Sequence, residues 1–444
     1  MPGNTLAELE KFVADCRAAG KRVFFTSRSA MVGRNRCPRY WWLKYCYNGT
    51  GLEMIRVNVP KFTGLMTHTG AKLLLEGRSP EYAAAEVCGI FDEEVAKRGL
   101  ELRATENQAF VAAEQRCLSE AFVWVMHYRV IPELKSRYEI LEVEQDDWFL
   151  MYEDPKGKFV VICETRGDAV MREKAGDMVG GLYILSWKTA KMWDKRKEKE
   201  AITDMQGTSE ALATELRLKE NVWGAQMAYL FKGKTLEDSY RPGTWVTHSP
   251  LCRPWINVTG PVPELAHSFE WSNSQEINPN TGRAVTHRLG KGWRPGFIPD
   301  IMPTREWVTM LHEGMVQPEA GDPLQRCHLL TMPYKRSAAR KKSWLTQQTC
   351  AEIEASEAVM EMERIIGQQN PELTQVALDS MFKQHDHQCN YPGECEMWGI
   401  CYGGESAQEE AELTGTYIDP FSLYRPRAPH HPGQLIADGG EDGE

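Results

Sequence analysis

The sequence predicts an α/β protein in which a central sheet is flanked by helices, with an α-rich part before the sheet and more helices after it. Three observations carry this prediction. Apolar residues recur at helical spacing through most of residues 1–137. The pattern then changes to β-branched and aromatic runs separated by turn residues. Helical spacing returns over residues 337–384.

Taken in order, residues 5–19 read as a short amphipathic helix, and RVFFTSRSAMVGRNRCPRYWWLKYCYN has aromatic spacing suited to a helix starting near Arg36. MTHTGAKLLLEG (66–77) and the stretches 80–98 and 104–137 continue the helical pattern. EILEVEQDDWFLMYE, KFVVICETRGDAVMRE and GLYILSWKTAK are bounded by Asp-Pro-Lys-Gly and Gly-Asp-Met-Val-Gly-Gly turns, which predicts a meander. A helix is expected over 208–232, ending at Lys-Gly-Lys, and then a strand near GTWVTHS. Helices are expected again at 337–367 and 371–384. The chain thus divides into a helical part (1–137), a sheet core (138–249), a loop-rich insertion (250–335) and C-terminal helices with a cysteine cluster (336–404). Residues 405–444 mix Glu, Gly, Pro and His with few apolar anchors and are predicted to be disordered. No internal repeat is visible.

A chain of 444 residues with 42% hydrophobic and 26% charged residues has globular composition and enough apolar surface for a sizeable core. No run of about 18 apolar residues occurs, so no membrane span is expected. The opening MPGNTLAELEKFVADCRAAGKR is too charged for a signal peptide, and a soluble, cytoplasmic protein is expected. Twelve cysteines in such a chain point to metal binding or burial rather than disulfides; Cys88, Cys117 and Cys163 sit among apolar neighbours and read as core. The net charge of −10 gives no global sign of nucleic-acid binding. Two local basic segments do: Lys188, Lys191, Lys195, Arg196, Lys197 and Lys199, and then Lys335, Arg336, Arg340, Lys341 and Lys342.

Asp168 follows the apolar strand FVVIC, and Lys188 ends the next strand, LYILSWK. Adjacent antiparallel strands bring two such groups to one end of a sheet. A carboxylate there can hold Mg²⁺ or Mn²⁺, and a neighbouring lysine can orient a water for phosphodiester attack.

The order strand–Asp–hairpin–strand–x-Lys-Thr resembles the PD-(D/E)XK nuclease superfamily, in particular its RecB-like branch. TGLMTHTGAKLLLEG resembles the helix whose histidine ligates metal, which points to His68. AQMAYLFKG resembles the Gln-plus-Tyr helix that follows the lysine strand and faces DNA, which points to Gln226 and Tyr229. Cys37 in RCPRYWWLKY resembles the cysteine that opens the iron–sulfur members, the AddB nuclease domain and the CRISPR-associated exonucleases with their phage relatives. The resemblance spans about residues 25–403 and implies a restriction-endonuclease-like core with a mixed central sheet. It further implies a metal held by His68 and Asp168, Lys188 as the catalytic lysine, and DNA contacts from Gln226, Tyr229, Lys191, Arg340 and Lys341.

The sequence departs from that pattern where the chemistry is most sensitive. The family places Asp or Glu two residues before the lysine, and this chain has Ser186. A neutral hydroxyl is a poor ligand for a hard divalent ion. Glu144, in LEVEQ, lies on the preceding strand where relatives often carry a glutamate; Glu164 is a second possibility, less well placed by strand alternation. The glycine usual three residues before the first Asp is also displaced, to Gly167.

HQCNYPGECEMWGICYG (387–403) spaces Cys389, Cys395 and Cys401 with five residues in each interval. Joined by an N-terminal cysteine, they form a Cys₄ set suited to a 4Fe–4S cluster or to zinc. The wide spacing lacks the close pairs of a zinc knuckle, and the resemblance implies the cluster, with Cys37 as fourth ligand and Cys46 as its rival. Such a cluster would staple the N-terminal helix to the C-terminal ones, closing a loop worth ~4–5 kcal/mol by analogy with disulfides. His385 and His387 beside it read as surface or DNA-facing residues. The resemblance therefore implies an Fe–S DNA exonuclease or end-processing nuclease in recombination, repair or replication, with a helicase or recombination protein as possible partner. The alternative is a catalytically impaired Fe–S DNA-binding relative.

Overall fold

The computed structural model describes residues 5–54, 59–97, 106–176, 178–191, 205–233, 275–277, 284–286, 304–313, 327–385, 395–401 and 419–427, with isolated residues between them such as 251, 324 and 389. The predicted strand near GTWVTHS lies outside the described residues.

The first helix, α1 (Leu6–Ala18), starts at a capping box in which the Thr5 hydroxyl accepts from the Glu8 N–H and Glu8 accepts from the Thr5 N–H. A strand, β1 (Arg22–Ser27), and two short helices, α2 (Arg28–Arg36) and α3 (Pro38–Tyr45), follow. Ser27 caps α2, and Cys37 caps α3 with Pro38 in its first turn. The expected helix near Arg36 is thus α3; the strand and helix before it were hidden inside one aromatic stretch. After β2 (Leu52–Met54) come α4 (Val59–Leu75), α5 (Pro80–Lys97), α6 (Glu106–Val125) and, past one π turn, α7 (Ile131–Arg137). These four helices bear out the predicted α-rich part.

The predicted meander is present as β3 (Tyr138–Glu153), β4 (Phe159–Glu173) and β5 (Leu182–Ala190), antiparallel throughout. The expected helix over 208–232 is overturned in its second half. Helix α8 (Gln206–Leu218) ends at Lys219 in the left-handed conformation, and AQMAYLF belongs to a strand, β6 (Val222–Phe231). Because β6 runs parallel to β5 and is buried on both faces, its sequence is a continuous apolar run rather than an alternation.

Two short strands, β7 (Gln275–Ile277) and β8 (Ala284–Thr286), pair with each other, and helix α9 (Thr304–His312) follows. The end of the predicted insertion then rejoins the sheet: β9 (His328–Leu330) and β10 (Tyr334–Lys335) both pair antiparallel to β6. Gly224 is required at that seam, since a Cβ there would lie 2.1 Å from the Tyr334 carbonyl oxygen. Helices α10 (Ala338–Ile366) and α11 (Pro371–Met381) match the predicted pair, capped by Ser337 and Asn370. Part of the predicted disordered tail is ordered: β11 (Tyr424–Pro426) pairs antiparallel to β2. Its anchors are aromatic, with Phe421 stacked on Tyr47 and the Tyr424 hydroxyl donating to the Glu396 carbonyl at 2.7 Å.

The result is an α/β fold with a mixed seven-stranded sheet flanked by helices. Helices α4, α5 and α6 pack a large core against one face, including Met66, Leu74, Leu118, Leu185 and Trp187. Helices α8, α2 and α10 cover the other, through Ala211, Ala213, Met31 and Trp344. Among the described residues no helix is long and apolar enough to cross a membrane.

Strand β4 is the axis of the site. Strand β3 covers one of its edges along nearly the whole length. On the other edge β1 pairs parallel from Phe159 to Glu164, and β5 pairs antiparallel from Ala169 to Arg172. Between these two partners, among the described residues, the segment 165–168 has no ladder neighbour on that edge. Alternation also changes phase there. Phe159, Val161 and Cys163 share a core with α8, and so does Val170, so one parity shift falls between Cys163 and Val170. Opposite the gap, Glu144 of β3 adopts φ +47°, a left-handed residue inside a strand.

Candidate active site

The gap in β4 opens into a cavity of about 390 Å³. Its walls are the end of β1 and start of α2 (Ser27, Arg28, Ser29), His68 of α4, Glu164 to Arg166 of β4, Trp187 to Thr189 of β5, and Gln206, Ser209 and Glu210 of α8.

Asp168, 6% exposed, lies behind the cavity wall, bonded to His68 and Trp187 of that wall. One carboxylate oxygen, Oδ1, is 2.5 Å from His68 Nδ1, and the other, Oδ2, accepts the Trp187 N–H at 2.7 Å. That last bond replaces the missing ladder: where β5 parts from β4, the Asp168 side chain takes up the backbone donor. Burial pushes the carboxyl up, but the His68 ring, the Lys188 ammonium and the Trp187 N–H together outweigh it, and Asp168 titrates below the usual carboxylate range. Asp168 is therefore an anion at neutral pH. His68 reaches it because α4 packs tightly on α6: a Cβ at Gly70 would lie 2.9 Å from Val123.

Lys188 enters the cavity from β5. Its ammonium donates to Ser186 Oγ at 2.8 Å and to Gln206 Oε1. Ser186 is fully buried, so the position two residues before the lysine holds a neutral acceptor bonded to that lysine. Gln206 escaped sequence reading, because it opens α8 without a recognisable cap and the helix was expected to start two residues later and run on through β6.

The two glutamates separate. Glu144 stands across β3 from Asp168, between the pairs Val143–Ala169 and Gln145–Gly167, and forms an ion pair with Lys72 at 3.3 Å. Lys72 is one helical turn beyond His68 on α4, so Glu144 faces that helix. Glu164 lines the cavity itself, at 3% exposure, along with His68 and Lys188.

The expected DNA-facing residues are redistributed. Gln226 and Tyr229 do not share a helix face; they lie within β6 at 2% and 7% exposure. Gln226 Nε2 donates to the Thr331 carbonyl at 2.7 Å, and Tyr229 stacks on Phe231, so both serve the core. Lys341 is likewise buried: its ammonium is paired with Glu215 and donates to the Val222 carbonyl at 3.1 Å, fastening α10 to the turn between α8 and β6. Lys191 and Arg340 are exposed, and the Arg340 guanidinium donates to the Ile202 carbonyl.

Cys389 and Cys395 are buried and Cys401 half-buried in or against one core with Trp41, Trp42, Phe382 and Met397. Cys37 is buried at the start of α3, with its Sγ 3.9 Å from the Lys383 carbonyl, and acts electrostatically on Cys395 and Cys401. Burial pushes the Cys401 thiol up to about 12; Arg39 opposes this, while Cys395, Cys37 and Cys389 add to it. Cys395 is raised by burial and by Cys389 and Cys37. Cys46 packs against the same core, but burial raises its thiol and the charges acting on it are Glu352, Glu363, Arg22 and Arg34 rather than the other cysteines. Among the described residues, no three His, Cys, Asp or Glu side chains stand in a ready metal-enclosing arrangement. The seam is also held by ordinary contacts. Arg39 donates to the Phe382 carbonyl at 2.9 Å and pairs with Asp379 at 2.5 Å, while Trp42 stacks on Phe382. His385 turns inward, its Nδ1 2.9 Å from the Arg36 carbonyl; His387 lies outside the described residues. Cys88, Cys117 and Cys163 are core residues.

In comparison with known proteins, no family model matches the chain, and no curated protein sequence matches it.

Proposed function

We propose that the chain is a RecB-like Fe–S nuclease that hydrolyses DNA phosphodiesters at strand ends with Mg²⁺ or Mn²⁺. One observation carries this reading: an anionic Asp168 on a central strand contacts His68 of a flanking helix beside a cavity that Lys188 enters from the adjacent antiparallel strand. The donor set offers a buried carboxylate, the hard oxygen ligand that suits these ions, beside an imidazole. A divalent ion at that position supplies Lewis-acid polarisation of the scissile phosphate.

The chain's own groups do the rest. Trp187 N–H and His68 fix the orientation of Asp168. Ser186 and Gln206 hold the Lys188 ammonium in the cavity, where it orients the attacking water by hydrogen bonding. Arg28 on the cavity wall supplies positive charge for the phosphate backbone, while Arg166 beside it is paired with Asp146. Cys37, Cys389, Cys395 and Cys401 fit a 4Fe–4S cluster in donor type and number, and the cluster acts as a structural staple between α3 and the chain beyond α11.

A second reading is favoured by Ser186. A buried neutral hydroxyl bonded to Lys188 occupies the place of a metal carboxylate, which suits an Fe–S DNA-binding protein that no longer cuts. Anaerobically purified protein incubated with labelled single- and double-stranded DNA and Mn²⁺ separates the two. The nuclease reading predicts release of short products from ends; DNA that is bound and left intact selects the second reading.

A further inference from the structure

We infer that Glu164 supplies the carboxylate that Ser186 withholds, and that it does so in preference to Glu144. The inference rests on the nuclease reading for its chemistry and on the break in the β4 edge for its geometry. An ion held by His68 and Asp168 alone would have one carboxylate, the lower of the one or two that commonly bind divalent ions of this class with water completing the shell.

Glu164 is the last β4 residue paired to β1, opposite Ser27, and thus the first residue beside the uncovered segment. It is 3% exposed and lines the same cavity as His68 and Lys188. A carboxylate so deep is costly unless cationic or hydrogen-bonding groups face it, and this cavity brings them there. Glu164 and Asp168 stand four residues apart on β4, the spacing that puts two side chains on one face of a strand, and Glu164 lines the cavity together with His68, which Asp168 contacts. Glu144 has a different partner. It is held by Lys72 of α4 at 3.3 Å, whereas Glu164 lines the cavity that Lys188 enters. Glu210 of α8, 2% exposed and one turn past Gln206, adds a second acid on the far wall.

Mn²⁺ binding measured by electron paramagnetic resonance titration of the whole chain tests this without relying on turnover. Glu164→Gln is expected to weaken Mn²⁺ binding at least about tenfold and by more than Glu144→Gln does. Ser186→Asp placed in the Glu164→Gln background is expected to restore binding. Thermal melting of each variant establishes that it is folded, and Glu164→Asp, which keeps the charge on a shorter arm, serves if Glu164→Gln is not. Wild-type Mn²⁺ affinity in Glu164→Gln, or a larger loss in Glu144→Gln, overturns the assignment. If the wild type cuts DNA and Glu164→Gln binds and cuts equally well, the assignment fails while the nuclease reading stands. If the wild type binds Mn²⁺ through Glu164 yet leaves DNA intact, the nuclease reading fails and the assignment stands. A wild type that binds no Mn²⁺ overturns both.

Discussion

His68 and Asp168 lie 100 residues apart in the chain, and their side chains meet at 2.5 Å, Nδ1 to Oδ1. That contact joins the helical layer to the sheet at the point where β4 loses a strand partner. It also keeps Asp168 ionised despite near-complete burial.

Asp168→Asn retains the side chain's size and an oxygen for the Trp187 N–H while removing the charge. DNA cleavage is expected to fall at least about 100-fold, in the range seen when one preorganised charge-stabilising group is lost from an active site. Circular dichroism is expected to match wild type. Initial rates on labelled duplex DNA check the first expectation.

Gln206→Ala removes one of the acceptors that hold the Lys188 ammonium. A misplaced lysine is expected to lower cleavage about 10- to 100-fold. Mn²⁺ affinity should be unchanged, because Gln206 touches the lysine and not Asp168. Parallel rate and titration measurements distinguish this positioning effect from a loss of metal.

Cys37→Ser is expected to lower iron and acid-labile sulfide together, whereas Cys46→Ser leaves both at the wild-type level. Loss of the staple also lowers stability, with ~4–5 kcal/mol as the entropy-only bound. The Arg39 and Trp42 contacts preserve part of the seam. Elemental analysis of anaerobic samples and thermal melting read the two effects. One equivalent of zinc without sulfide removes the Fe–S assignment.

Gly224→Ala forces a Cβ to within 2.1 Å of the Tyr334 carbonyl oxygen, backbone that cannot swing aside as a side chain tip does. A loss of about 1–3 kcal/mol is expected, the usual range for overpacking. Urea unfolding at equilibrium measures it.

Much of this arrangement is legible in the residues, and the failures have physical causes. The helices from α4 to α7 and the β3–β5 meander carry clean periods, and adjacency of those strands was enough to set Asp168 near Lys188. Strand β6 was read as a helix because a parallel strand buried on both faces offers a run of apolar residues without alternation. Strand β1 was missed because it is six residues long and its partner in the sheet begins at Phe159. The ranking of Glu164 below Glu144 on alternation fails on its own terms, because residues 164 and 168 are four apart on β4 and that spacing puts both on one face. Lys341 looked like part of a basic face, yet its charge closes an internal pair with Glu215. Tail residues around Tyr424 looked unanchored because the anchor is a three-residue strand, β2, near the other end of the chain.

The central claim is that Lys188, held in the cavity by Ser186 and Gln206, takes part in cutting DNA. Its most direct test is the initial rate of Mn²⁺-dependent cleavage of end-labelled DNA by wild type and by Lys188→Ala, both prepared anaerobically with matched iron content. The wild type is expected to cut, and Lys188→Ala to cut no more than background. Equal cutting by the two, or none by either, contradicts that claim.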